Sequence, residues 1–203
     1  MKHWQDYICL VGVDEVGRGP LAGPVAVGAF LVRRSHILGV QKLLYGIKDS
    51  KRLRERERNN WFARLSSARA AAMVDFRVSF VGPERIDRIG IVRAIQLALD
   101  RSLKGLSVQP KNSRILLDGG LTASHKFLFQ ESIIRGDDSE PVIAAASVVA
   151  KVLRDRRMTW YAQQFPVYGF ERHKGYATAE HVRLLRQHGV SPLHRKTFVT
   201  SFV

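Results

Sequence analysis

Two carboxylates stand side by side at Asp14 and Glu15, just after the apolar run Tyr7-Ile8-Cys9-Leu10-Val11 and just before the turn Gly17-Arg18-Gly19. Acids at the end of a buried strand need a cation. Two in succession share one site only where the strand ends or bulges, because neighbouring strand residues otherwise point to opposite faces. The same logic recurs twice. Asp118 follows Arg114-Ile115-Leu116-Leu117 and precedes Gly119-Gly120, and Asp137 follows the segment Ser132-Ile133-Ile134 with Gly136 directly before it. Alone, an acid past a strand reads as a helix cap; in the company of Asp14 and Glu15 it becomes a metal-ligand candidate. Crowded carboxylates repel one another unless cations bind among them. Ligands that are all oxygen favour Mg²⁺ or Mn²⁺ over Zn²⁺, which more often recruits Cys or His. Two such ions about 4 Å apart can clamp the attacking and leaving oxygens of an in-line displacement at phosphorus. Gly17 and Gly19 let backbone N–H groups approach a phosphate or a sugar closely.

The elements that must gather these residues are legible from periodicity. Residues 24–32 read as a second strand, near enough to the first to form an antiparallel hairpin with it. That pairing sets aside a dinucleotide-binding loop, whose glycines must open a helix, whereas Pro24 opens a strand. Lys48-Asp49-Ser50-Lys51 leads into a helix capped by Asp49 or Ser50, with Leu53, Trp61, Phe62 and Leu65 as its apolar stripe. Its basic face, Arg52 to Arg64, is either a solvated surface or one wall of a nucleic-acid groove. Residues 73–80 alternate as a third strand, and a helical region after Gly82-Pro83 places Ile91, Ile95, Leu99 and Leu103 in the core. Phe127-Leu128-Phe129 and Ser132-Ile133-Ile134 read as further short strands. A long helix begins at Pro141; its continuation over 154–164 is basic and expected on the surface, and Lys151 and Arg154 either touch phosphate or pair with acids. His173-Lys174-Gly175-Tyr176 forms a loop before a last helix near 178–188 capped by Thr178. His173, His181 and His188 read as scattered surface histidines, since no His-Glu-x-x-His pattern or Cys pair supports a zinc site.

Bulk properties point to a polyanionic partner. The chain carries 33 Lys and Arg against 18 Asp and Glu, a balance of +15, and nucleic acid is the first expectation. Its 203 residues suit one domain, with 166–203 as a helical C-terminal extension. The single Cys9 excludes an internal disulfide framework and fits a reducing cytosol. Asp6 soon after Trp4 interrupts any signal-type stretch, and no segment approaches the roughly 20 apolar residues of a membrane span. A monomeric cytoplasmic protein without membrane contact is expected.

Together, Asp14-Glu15-Val16-Gly17-Arg18-Gly19-Pro20-Leu21-Ala22-Gly23, Lys48-Asp49-Ser50-Lys51, Leu117-Asp118-Gly119, Gly136-Asp137, Ala144-Ala145-Ala146-Ser147-Val148-Val149-Ala150-Lys151 and His173-Lys174-Gly175-Tyr176 resemble bacterial ribonuclease HII, from about Val11 to Phe198 and in that family's order. The resemblance implies an α/β ribonuclease H-like fold, a mixed central sheet flanked by helices with a small helical C-terminal portion. It implies an endonuclease that cuts the RNA strand of RNA–DNA hybrids and single ribonucleotides embedded in duplex DNA, using Mn²⁺ or Mg²⁺ and leaving 5′-phosphate and 3′-hydroxyl ends. By motif position, Asp14, Glu15, Asp118 and Asp137 match the family's acidic metal ligands. Gly17, Arg18 and Gly19 match its ribonucleotide-contacting turn, and Tyr176 its sugar-packing tyrosine. Lys51 and Lys174, within two of the motifs, are assigned to substrate binding. Asp138 adds a second acid beside Asp137, which is favoured because Gly136 precedes it, and Gly120 stands where the family commonly has Asn. Whether a sliding clamp binds is left open.

Two other classes compete. A non-catalytic nucleic-acid-binding protein of the same fold would bind duplex in a salt-sensitive way without turnover, but four acids in a basic groove would weaken phosphate binding unless metal occupied them. A metal-dependent nucleotide phosphatase would suit an apolar strand ending in Asp-Glu, yet no Gly-x-x-x-x-Gly-Lys-Ser/Thr loop accompanies it.

Overall fold

The apolar run does not stop at the two acids. In the computed structural model, which describes residues 7–202, strand β1 (Cys9–Val16) carries Asp14 and Glu15 within its own length. The expectation drawn from Trp4 and Asp6 lies outside the described residues. β2 (Val25–Arg33) returns antiparallel to β1, pairing Asp14 with Gly28 and Glu15 with Val27. The chain continues through α1 (Ile37–Leu43), α2 (Glu55–Ala70), β3 (Val74–Val81), α3 (Pro83–Ile89) and α4 (Ile91–Gly105) to β4 (Ser113–Asp118) and β5 (Gln130–Ile133). It closes with α5 (Gly136–Ser139), α6 (Pro141–Gln164), α7 (Phe170–His173), α8 (Ala179–His188) and α9 (Lys196–Val199). The sheet is mixed, in the order β3-β2-β1-β4-β5, with β4 parallel to both β1 and β5.

Period-two alternation along the strands divides the core into two layers. Leu10, Phe30, Val32 and Leu116 face α2 and α6, whereas Val11, Val13, Val27, Leu31, Ile115 and Leu117 face α4. Each fully buried Leu, Val or Phe contributes on the order of 2 kcal/mol relative to exposure. The α6 face is unusually close. A Cβ added at Gly12 would stand 2.3 Å from the Val142 carbonyl, and one at Gly28 would stand 2.5 Å from the Ala146 oxygen. Both glycines are therefore the groove in which α6 lies, and it is the backbone of Val142, Ile143 and Ala146, with the small side chain of Ala150, that fits against it.

Several expectations need correction. Helix α2 starts at Glu55 and is opened by the Glu57 carboxylate, which accepts the Arg54 N–H at 2.7 Å; Asp49 instead accepts the Lys51 N–H at 3.0 Å, in the turn before it. Phe127-Leu128-Phe129 is an irregular bend before β5, and the Gln130 side chain takes up the Ala123 N–H and the Phe127 carbonyl. The basic second half of α6 is not all surface: Arg154 is fully buried. Among the described residues no helix is long and apolar enough to cross a membrane.

Candidate active site

Alternation places Asp14 on the α6 face with Leu10 and Gly12, and Asp118 on the same face with Leu116. Because β1 and β4 run parallel with Val13 beside Leu117, the next residue on each is an acid: Asp118 ends β4, and Asp14 lies within β1 where its pairing with β4 stops. The crevice beyond the carboxyl ends of parallel strands is a common ligand site in α/β sheets. Asp14 is 2 % exposed; its Oδ1 accepts the Glu15 N–H at 2.7 Å and its Oδ2 has no hydrogen-bond partner. Burial raises the Asp14 carboxyl well above the usual range, and the charges of Glu15 and Asp118 push the same way against Ser147 and Lys51. Glu15 is raised first by burial and then by Asp118. The three acids thus feel one another's charge.

Asp118 Oδ1 accepts the Gly136 N–H at 2.7 Å, which draws the α5 turn against β4. This turn settles the orientation of the two consecutive acids. Asp137 is buried with its Oδ2 3.3 Å from Lys51 Nζ, whereas Asp138 is turned outward onto Arg52 at 3.1 Å and Arg135 at 2.8 Å. Burial acts to lower the Lys51 ammonium, but Asp137, Asp14 and Asp49 together raise it. Asp49, expected with Ser50 as a helix-cap candidate, is buried, and burial followed by the charge of Asp137 raises it. Among the described residues, no three acidic, histidine or cysteine side chains are grouped so that they could hold a metal ion. The donor chemistry nevertheless suits a hard cation: every candidate ligand is a carboxylate, and the buried Asp14 Oδ2 has no hydrogen-bond partner.

The glycine turn is held from beneath by two buried arginines. Arg195 donates from Nη2 to the Gly17 carbonyl at 2.6 Å, from Nη1 to the Arg18 carbonyl at 2.8 Å and from Nε to the Gly23 carbonyl at 3.0 Å. Arg154 donates from Nε to the Pro24 carbonyl at 2.9 Å and from Nη1 to the Lys174 carbonyl at 3.1 Å. Gly17 has φ +86°, and a Cβ there would stand 2.2 Å from Arg154 Nε, so both conformation and space require glycine. Arg18 is exposed and 3.8 Å from Glu15, and Gly19 has open space around its Cα.

Tyr176 is 40 % exposed, its ring 5.9 Å from Lys151 Nζ and 5.7 Å from Arg154 Cζ. Lys151 pairs with an acid, Asp155, at 2.8 Å. Lys174 bends back to the Glu171 carbonyl and to Thr159 Oγ1 at 3.4 Å, which leaves it outside the carboxylate cluster.

His173 and His181 are buried, contrary to a surface reading, and form a relay with His194. His181 Nδ1–H donates to the Tyr176 carbonyl at 2.9 Å, so its Nε2 is free to accept from His194 Nε2–H at 3.1 Å, and His194 Nδ1 accepts the Ser191 N–H at 3.0 Å. His173 donates from Nε2 to the Tyr168 carbonyl at 2.7 Å, accepts the Gly175 N–H at Nδ1, and stacks on His181 with ring centres 4.2 Å apart. Each ring has one donor and one acceptor role, which makes all three neutral. Burial lowers His181 and His194 to about 4 each. This relay fixes the backbone that carries Tyr176. One signal for it was present: His181 precedes Leu184 and Leu185 by three and four residues, on the apolar stripe of α8.

The family model described as Ribonuclease HII matches residues 11–201. A ribonuclease HII of Pelodictyon phaeoclathratiforme is 41% identical over 195 residues, covering 96% of this chain and 91% of the relative. Among solved structures, the ribonuclease H2 of Pyrococcus horikoshii OT3 superposes with a TM-score of 0.69 at 25% identity, covering 93% of each chain. A Bst-RNase HIII solved in complex with Mn²⁺ superposes with a TM-score of 0.74 at 21% identity, covering 97% of this chain and 68% of that one. The likeness in sequence, the mixed sheet and the acids at its crevice agree: the chain belongs to the ribonuclease HII family and is a divalent-metal-dependent ribonuclease H that cleaves the RNA strand of RNA–DNA hybrids.

Proposed function

We propose that this ribonuclease H also cuts at single ribonucleotides embedded in duplex DNA, with Asp14, Glu15, Asp118 and Asp137 holding two Mn²⁺ or Mg²⁺ ions. The observation that carries the reading is the unpartnered, buried Asp14 Oδ2 in electrostatic contact with Glu15 and Asp118. When bound, such a pair of ions supplies an activated water and neutralises charge on the departing 3′ oxygen, which leaves 5′-phosphate and 3′-hydroxyl ends. The protein's own groups do the rest. Gly17, Arg18 and Gly19 offer backbone N–H groups to the 2′-hydroxyl, the feature that separates RNA from DNA at a site. The half-exposed ring of Tyr176 stacks on the sugar beside it, and Lys51, which now neutralises Asp137, is free to turn to a phosphate when ions take over that carboxylate. The Mn²⁺ complex of the RNase HIII neighbour supports a hard divalent ion in this fold.

The test is a duplex carrying one ribonucleotide, incubated with Mn²⁺ or Mg²⁺ and either wild type or Asp14→Asn. Wild type cuts once at the ribonucleotide, and the variant loses roughly a hundredfold to a thousandfold in rate, as removal of a group acting in transition-state charge stabilisation does. Undiminished cutting by Asp14→Asn removes Asp14 from the mechanism.

A further inference from the structure

Arg195 is fully buried, yet no carboxylate lies within ion-pair distance of it among the described residues. A charge in that position is costly unless its donors are met. They are met by the backbone carbonyls of Gly17, Arg18 and Gly23, so the guanidinium spends all three contacts on the glycine turn and its exit. A trans peptide unit points its C=O and the following N–H in opposite directions. Holding the Gly17 and Arg18 carbonyls inward therefore turns the N–H groups of Arg18 and Gly19 outward, and neither has a partner among the described residues. Hydrogen bonding to a cation also polarises each peptide and strengthens the N–H at its far end.

We infer that Arg195 is a positioning residue for ribonucleotide recognition: it aims and strengthens the Arg18 and Gly19 amide donors that meet the 2′-hydroxyl. The inference rests on the reading of the turn given above. It assigns to the basic tail a function that is neither phosphate contact nor solubility. Lysine cannot replace it, because one ammonium group cannot span three carbonyls in a fixed plane. The ring of Phe198 lies 5.1 Å from Arg195 Cζ, within cation–π reach, and steadies the guanidinium.

The experiment measures affinity in EDTA, where nothing turns over, for a duplex with one ribonucleotide and for the all-DNA duplex of the same sequence. The ratio of the two affinities is the readout, with thermal melting alongside. Arg195→Lys is expected to melt cooperatively, keep its affinity for DNA and lose at least tenfold in the ratio, although the positive charge is retained. Phe198→Leu loses a smaller part of the ratio and carries the test should Arg195→Lys not melt cooperatively. Asp87→Ala removes the carboxylate that accepts the Lys196 N–H at 2.8 Å and the Thr197 N–H at 3.0 Å. It loosens the same tail while leaving the three carbonyl contacts of the guanidinium in place, so its melting temperature falls and its ratio stays at the wild-type value. A wild-type ratio retained in Arg195→Lys, or in Phe198→Leu where that variant carries the test, overturns the proposal, as does a ratio that falls equally in Asp87→Ala. Absence of any ribonucleotide preference in wild type overturns the reading of the turn itself, a failure distinct from that of Arg195.

Discussion

Acid should unfold this protein through its buried histidines, and the size of the effect follows from the relay. His181 and His194 stay neutral in the folded protein down to about 4, because burial opposes a charge first, helped by His173 beside His181 and by His181 and His173 beside His194. In the unfolded chain both return to ordinary histidine behaviour near pH 6.5. Their folded values lie below their unfolded ones, so the stability they contribute is complete above about pH 6.5 and is lost as pH falls towards about 4. Each proton taken up by the unfolded chain alone changes stability by about 1.4 kcal/mol per pH unit, so the pair accounts for about 2.7 per unit, or roughly 5 kcal/mol between about pH 6.5 and about pH 4.5. That is a large share of the 5–15 kcal/mol typical of a folded domain. Carboxylates whose folded values are raised, Asp14 foremost, act in the opposite sense, so the measurement is a difference. Urea unfolding of wild type and His194→Gln is followed at half-unit steps from pH 7.5 to 4.5. The variant has lower stability at neutral pH and a slope shallower by about 1.4 kcal/mol per unit, one proton fewer. Equal slopes in the two proteins would refute the assignment of a neutral, buried pair.

Three further outcomes are expected. Gly28→Ala forces a Cβ against the Ala146 carbonyl and should cost roughly 2 kcal/mol or more, lowering the melting temperature by about 4–8 °C; an unchanged melt would mean that α6 does not lie in the glycine groove. Mn²⁺ at a hundred times its dissociation constant should stabilise wild type by about 2.7 kcal/mol and Asp14→Asn by much less, read as the shift in thermal melting. Tyr176→Phe should lower cleavage at a single ribonucleotide more than it lowers duplex affinity, and equal losses would count against a sugar-packing role.

Local patterns carried the hairpin of β1 and β2, the strand ending at Asp118, the helix from Pro141 and the Thr178 cap, whose Oγ1 accepts the His181 N–H at 3.2 Å. Each depends on neighbours in sequence, and so periodicity and capping chemistry suffice. The four acids could be nominated because each follows an apolar segment. What could not be read was which basic residues leave the surface. Arg154 and Arg195 resemble the other arginines of a strongly basic chain, and only the carbonyls of distant segments, 130 to 178 residues away, show that their charge belongs inside. Asp49 looked like a helix cap for the same reason: its true neighbour, Asp137, comes from the other half of the chain.

The side chain that supports the glycine turn comes from a position 177 and 178 residues after the Arg18 and Gly17 carbonyls, two of the three it holds. A nascent chain emerging from a ribosome can pair its first strands early, but it cannot set the turn until that late arginine has emerged. On the proposed reading of the turn, a half-made polypeptide carries acids and strands without the support for choosing ribose over deoxyribose, and it gains that support only as Arg195 docks.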